Sequence, residues 1–338
     1  MKKIFYAILI TMLAGVTFFW LFYSTKDYSR TPDEVVYTMC AGSFIEWIKN
    51  PDPFSKDVLL RHWDIGYEHP SFVKILSGIT WSIFHNKVGN LTSYRLATII
   101  NFSLLMVVLY IFSSPYLGRG MAICASVFLL CIPEVVKYAH LAEININLAL
   151  FWFLIVIFFL KGLKTKYWIY ISGIIFGLAL GSKMTTFIIP VAMLIWIIKY
   201  HPPKSWNAYV IFLVLGILTF ILSWPSLWFS FPSKLIEHTK FYVTSIPVTP
   251  DKPWYFGPKS FFYGIPPGLA ILFIIGVAGV FIEKNQLGIL SFINMLMMFL
   301  ISSIHFIYPG EGIRYFLPAI PFVTILCASG LKYLCLRF

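Results

Sequence analysis

Apolar residues in this chain come in long unbroken blocks rather than in the alternations of a soluble helix or strand. Blocks of about 17 to 25 apolar residues are what an α-helix needs to cross a bilayer. They occur near 4–24, 94–113, 119–136, 144–160, 168–182, 184–200, 207–229, 261–282, 287–307 and 315–335. A shorter block covers 71–84. The pattern predicts an all-α, polytopic integral membrane protein with about ten transmembrane helices and no repeat of solenoid length. The first block follows Met1-Lys2-Lys3, is longer than the apolar core of a usual signal peptide, and has no small-x-small cleavage site after it. It is expected to be a retained first membrane helix.

The polar residues between the blocks set the sidedness. Lys2 and Lys3, Lys161/Lys164/Lys166, Lys199/Lys204, Lys284 and Lys332/Arg337 belong on the cytoplasmic side. Working back from them puts 25–69 and His140–Asn147 outside, so an even number of crossings separates these two regions. Blocks 94–113 and 119–136 supply two. Segment 71–84, with Ser71, Lys74 and Ser77, is therefore expected to lie at the outer interface without crossing. On this topology both termini are cytoplasmic. The inside carries about eleven Lys and Arg against the single acid Glu283, and the outside about fifteen against thirteen acids. Eight of those acids sit in the first outer loop, 25–93. A second large outer loop covers 230–260, and the whole chain, 1–338, reads as a single membrane-embedded domain.

Composition agrees: 59% of the 338 residues are hydrophobic and 12% charged, against about 25% charged in a soluble domain, and the mean hydropathy is +0.81. The net charge of +12 belongs to topology-setting loops, not to a nucleic-acid surface. The five cysteines show no CxxC or paired spacing, which leaves no metal site or disulfide framework to infer.

Five strings could carry chemistry, and on the topology above all fall outside. Thr31-Pro32-Asp33-Glu34 opens a helix, with Thr31 as cap and two acids at the positive end; in a membrane protein's outer loop the acids are also candidates for catalysis. Glu68-His69-Pro70-Ser71-Phe72-Val73-Lys74 sets two donors at a helix start that favours phosphate; a snorkelling lysine on an interfacial helix is the plain alternative. Tyr138-Ala139-His140-Leu141-Ala142-Glu143-Ile144-Asn145-Ile146-Asn147 buries a carboxylate at a span's end, which needs a partner or a function. Lys183, in a short outer turn, runs against the positive-inside bias. Arg314 offers a permanent planar fork suited to phosphate, or a structural ion pair with Glu311 or Glu143.

The order of Pro32-Asp33-Glu34, His69-Pro-x-x-x-Lys74, Arg95-Leu-Ala, Glu143, Gly177-Leu-Ala-Leu-Gly-Ser-Lys183, Ser223-Trp-Pro-Ser-Leu-Trp228 and Arg314-Tyr-Phe-Leu-Pro318 resembles the dolichyl-phosphate-mannose–protein mannosyltransferases. More broadly it is similar to the GT-C glycosyltransferases, including bacterial lipid A aminoarabinose transferase. The resemblance implies transfer of a sugar from a polyprenyl-phosphate donor, with inversion, to an acceptor hydroxyl on protein, lipid or glycan. It maps the general base to Asp33, with Glu34 beside it and Glu143 as the second acid, where the family usually has Asp. Lys74, Lys183, Arg314 and His69 become the donor-phosphate group. Tyr138, His140, His238, Tyr242, Trp254 and Tyr255 are candidates to bind acceptor or sugar, although the aromatic residues of 230–260 also read as an interfacial belt. His69-Pro-Ser-Phe replaces the family's His-Pro-Pro-Leu. The chain ends soon after Leu331, without the soluble C-terminal domain of some relatives, so acceptor recognition is expected from 25–92 and 230–260. No cofactor or metal is expected, the lipid-linked sugar being substrate. The expected location is a bacterial or archaeal inner membrane with the site facing outside. The competing reading is a transporter or flippase whose outer charges form a gate. Transporters favour ionisable groups at the midplane and two related halves, and the loop 25–93 has no counterpart in the second half.

Overall fold

The computed structural model describes residues 2–66, 69–200, 205–244, 253–303 and 312–337. It is all-helical; no strand occurs among the described residues. In chain order the helices are α1 (Lys2–Ser24), α2 (Pro32–Lys49), α3 (Lys56–Trp63), α4 (Phe72–Val88), α5 (Asn90–Leu117), α6 (Arg119–Leu130), α7 (Pro133–Ala139) and α8 (Ile144–Gly162). They continue with α9 (Tyr167–Leu180), α10 (Ile189–Tyr200), α11 (Trp206–Ser223), α12 (Ser233–Thr244), α13 (Phe256–Gly264), α14 (Pro267–Ile282), α15 (Gln286–Ser302) and α16 (Ile320–Cys335).

Five segments are long and apolar enough to cross a bilayer: Ala7–Asp27, Asn90–Leu117, Ile144–Gly162, Trp206–Ser223 and Gly312–Cys335. Two bent pairs, α6 with α7 and α13 with α14, raise the number to seven, and Tyr167–Leu180, Met184–Tyr200 and Gln286–Ser302 are shorter apolar helices. The chain is an integral multi-pass membrane protein.

Proline breaks three of the blocks that hydropathy alone makes continuous. The run 119–136 bends by 74° where Ile132, extended at φ −100° and ψ 109°, precedes Pro133. A residue before proline is pushed out of the helical region, so one helix must end and another begin. Block 261–282 bends by 119° at Ile265-Pro266-Pro267 for the same reason. Block 315–335 opens as a 3-10 segment, Gly312–Ala319, containing Pro318, before α16.

The centre of the bundle is α5, α8 and α16, each mostly buried, whereas α1 and α11 turn most of their surface outward. In lipid, helices associate through close packing and interhelical hydrogen bonds rather than through the hydrophobic effect. Gly276 and Gly330 show the first: a Cβ on either would collide with backbone of the other helix, at Leu326 or Leu272. Trp152 shows the second, donating from Nε1 to Asn294 Oδ1 on α15 at 2.7 Å. The first loop has a small core of its own, in which Phe44 of α2 stacks on Trp63 of α3 at 4.4 Å. Helix α4 packs on α2 and α5, so the loop is a folded platform fixed to one end of the bundle.

Candidate active site

Helix α2 begins with a complete capping box. Thr31 Oγ1 accepts from the Glu34 backbone N–H at 3.3 Å, and Glu34 Oε2 accepts from the Thr31 N–H at 3.1 Å. Glu34 does more than cap. Its carboxylate takes two bonds from Arg95 of α5, Nε to Oε1 at 2.8 Å and Nη2 to Oε2 at 2.9 Å, and one from the Ala142 N–H at 2.8 Å. Arg95 spends its remaining donors on the carbonyls of Thr25, Tyr28 and Ser29. Both side chains are 1% exposed. Glu34, grouped with the catalytic acids on sequence, is therefore a clamp: every favourable acceptor position is filled and substrate has no access to it.

The clamp fixes the residue beside it. Asp33 stays 43% exposed and pairs with Arg314 Nη2. The Nε of Arg314 donates to Glu143 Oε1 at 2.9 Å, so one guanidinium bridges two carboxylates from opposite parts of the chain. Glu143 caps α8. It accepts from the backbone N–H of Asn145 and from Asn145 Nδ2, the latter at 2.8 Å. Asn145 Oδ1 in turn accepts from Lys183 Nζ at 2.8 Å, and that ammonium lies 4.7 Å from the Tyr315 ring centroid. Thr98 of α5 braces the assembly from behind, accepting from Glu143 N–H and Asn147 Nδ2. The Tyr138 ring lies 5.3 Å from the Arg314 guanidinium.

A second group adjoins the first. Lys74 is 2% exposed and donates to the carbonyls of Gly66 and His69, at 2.8 and 2.7 Å, with the Tyr37 ring 5.7 Å away. It thereby ties the carbonyls on either side of residues 67–68 to the first turn of α4. His69 lies beside Tyr37, with ring centroids 6.2 Å apart. Burial, then the positive charges of Lys183 and Lys74, with smaller contributions from His238 and Arg314, hold its imidazole well below the usual value. His238 is buried edge-on against Trp224 at 5.1 Å.

Asp33, Glu143, Arg314, Lys183, Tyr138, His69, Lys74 and His238 thus share one region. His140 does not join them. Its ring stacks on Tyr28 at 4.2 Å, with Nε2 on Ser24 Oγ and Nδ1 on the Val136 carbonyl, so it locks α7 to the end of α1 rather than facing acceptor. Trp254 and Tyr255 stand exposed at the start of α13 and pack edge-to-face on each other. Glu68 and Glu311 lie outside the described residues, as does the side chain of Tyr242. Sequence reasoning missed Arg95 as a partner and Asn145 as the link from Glu143 to Lys183. A charged residue at the head of the 94–113 block was the available signal, since a buried arginine must find an acid.

Residues 68–229 match the family described as dolichyl-phosphate-mannose-protein mannosyltransferase. Among solved structures, the chain is similar to apo ArnT from Cupriavidus metallidurans, with a TM-score of 0.72 and 17% identity over 98% of this chain and 60% of that one. The fold is that of ArnT. ArnT bound to undecaprenyl phosphate superimposes with a TM-score of 0.68 at 18% identity, covering 96% of this chain and 60% of that one. The oligosaccharyltransferase AglB from Archaeoglobus fulgidus, in complex with an inhibitory peptide and a dolichol-phosphate, gives 0.58 at 14% identity, covering 98% of this chain and 50% of that one. The chain therefore spans 60% or less of the length of these solved structures. No curated protein sequence matches it.

Proposed function

We propose that the protein is a glycosyltransferase that moves a sugar from a polyprenyl-phosphate donor to an acceptor hydroxyl, with inversion and with Asp33 as general base. The observation that carries this is the Asp33–Arg314–Glu143 bridge with Lys183 one residue away, drawn from four distant segments. Undecaprenyl phosphate in ArnT and dolichol-phosphate in AglB support the donor class.

The chemistry needs a base and a way to stabilise a departing phosphate. Asp33 is the more exposed carboxylate and takes the acceptor's proton as its oxygen attacks the anomeric carbon. The bond from that carbon to the donor oxygen breaks, and the lipid phosphate leaves as an anion. Arg314 and Lys183, with His69 as a further donor, stabilise that charge. Arg314 pairs with Asp33. A phosphate arriving at the guanidinium competes for it and releases the base where it is needed. Glu143 keeps Arg314 oriented through the exchange. Fixed cations thereby perform the charge stabilisation a divalent metal supplies elsewhere, and turnover in EDTA is the corresponding expectation. The distribution of loop charges supports an extracytoplasmic site.

The test uses purified protein in nanodiscs with radiolabelled polyprenyl-phosphate mannose, comparing wild type with Asp33→Asn. Sugar released to water or acceptor by wild type should fall by about 10²- to 10⁴-fold in the variant, with donor binding retained. Equal release by both would remove Asp33 as base. Wild-type protein that binds no polyprenyl-phosphate sugar would favour the transporter.

A further inference from the structure

Beside the charged centre a groove of about 470 Å³ opens between α7, α13 and the start of the Gly312–Ala319 segment. We infer that this groove is the acceptor subsite of the proposed reaction and that it takes a sugar carrying an anionic group. The inference rests on the transferase reading for the word acceptor, and on the groove's own chemistry for the ligand class.

Its composition differs from that of a lipid-facing crevice. Lys137 and Glu134 stand on one wall, loosely paired at 3.5 Å. Lys259 and Tyr263 stand on the other, the ammonium 5.7 Å from the ring centroid. No carboxylate among the described residues pairs with Lys259, and the described lining sets the ammonium groups of Lys137 and Lys259 against the single carboxylate of Glu134. Tyr263 is 81% exposed, although it lies one residue from the end of a helix with a buried side. An exposed aromatic face beside an ammonium suits a sugar ring stacked on the tyrosine with its anion on the lysine.

Position supplies the second argument. Tyr138 lines the groove, and its ring lies within 5.1 Å of Lys137 Nζ and 5.3 Å of the Arg314 guanidinium. One side chain therefore borders both the groove and the centre that holds Asp33. The far wall is rigidly referenced to that centre as well. A Cβ on Gly264 would come within 2.6 Å of Ile313, so the last turn of α13 rests directly on the residue before Arg314. A ligand seated in the groove is thereby held in register with the base.

The experiment measures binding of mannose 6-phosphate, mannose and inorganic phosphate to the protein in nanodiscs by saturation-transfer NMR. Wild type, Lys259→Gln and Tyr263→Ala are compared. Mannose 6-phosphate should bind most tightly, and each variant should weaken it by roughly tenfold, Tyr263→Ala weakening mannose also. The thermal midpoint of both variants should match that of wild type, which separates lost binding from lost folding. Mannose 6-phosphate that fails to bind wild type, or binds both variants equally well, overturns the inference. Failure of the transferase reading is a separate result, seen as no sugar release by wild type whatever the groove binds.

Discussion

Two arginine–carboxylate assemblies stand side by side at the start of α2, and they differ in how completely they are finished. Glu34 and Arg95 are each 1% exposed and joined through both oxygens, with three backbone carbonyls taking the rest of the guanidinium. Arg314, one residue away through Asp33, is 15% exposed and divides itself between two acids, one of them 43% exposed. A buried pair with every donor matched has nothing left to offer a substrate and loses heavily if one partner goes. A shared, partly open arginine can change partners. The same residue types one position apart thus serve as a bolt and as a hand, and access to solvent separates the two roles.

The largest effect should come from breaking the bolt. Arg95→Met leaves Glu34 charged and unpaired inside the protein, at a cost of about 3–5 kcal/mol, read as a lower thermal midpoint in detergent. The double change Glu34→Gln/Arg95→Met should recover part of that loss, since no lone charge remains, and a double-mutant cycle measures how much. Full additivity would mean that the pair is not acting as a unit.

Next in size is the hand. Arg314→Lys keeps the charge but not the fork, so it cannot hold Asp33 and Glu143 together. Single-turnover transfer should slow by about 10²- to 10³-fold, or about 2.7–4 kcal/mol in the barrier, while the thermal midpoint moves far less than in Arg95→Met. A variant that loses stability and activity in equal measure would place Arg314 with the structural pair.

This difference was only partly legible in the sequence. The helical membrane class followed from block length, and the helix start at Thr31 from its capping string. Convergence of Asp33, Glu143, Lys183 and Arg314 followed from sidedness, because charges on short loops must share a face once the crossings are counted. What hydropathy hid were the bends at Pro133 and Pro266-Pro267, since the flanking residues are as apolar as any helix interior. Nor could it pair Arg95 with Glu34: the first loop holds eight acids, and the choice depends on which one the cap of α2 turns inward. His140 sits in the same polar string as Glu143, yet the turn between α7 and α8 sends its ring toward α1. Proximity in sequence misplaced it.

A middle-sized effect tests the surroundings of the hand through pH. Burial and neighbouring cations keep His69 neutral in the folded protein well below the usual imidazole value. In the unfolded chain it takes up a proton near pH 6.5. The unfolded state therefore binds more protons as pH falls below about 6.5, and stability declines there. His69→Gln should flatten that decline, measured as the thermal midpoint from about pH 7.5 to about pH 5. A phosphate placed among the same cations offsets their field, so donor binding should raise the imidazole toward its usual value and be accompanied by proton uptake as pH falls. Calorimetry in buffers of different ionisation enthalpy detects it. Binding without uptake in wild type would take His69 out of the phosphate group.

The smallest effect sharpens the comparison from outside. Lys234 of α12 reaches Asp64 at 2.8 Å and Glu237 at 3.3 Å, with Lys234 12% and Asp64 31% exposed. It joins the segment after α11 to the first loop, as Ser226 does by donating to the Trp63 carbonyl at 3.1 Å. By distance alone the Lys234–Asp64 pair equals Glu34–Arg95. If contact distance set the energy, Lys234→Ala would rival Arg95→Met. Water reaches this pair, and the ammonium keeps a solvated alternative, so the expected loss is about 0.2–1 kcal/mol. Added salt should weaken it further and leave the Arg95 variant's penalty nearly unchanged. A loss of several kcal/mol at Lys234 would mean that this segment and the first loop form one cooperative platform, in which case the site's rigidity comes from both as well as from the clamp beneath Asp33.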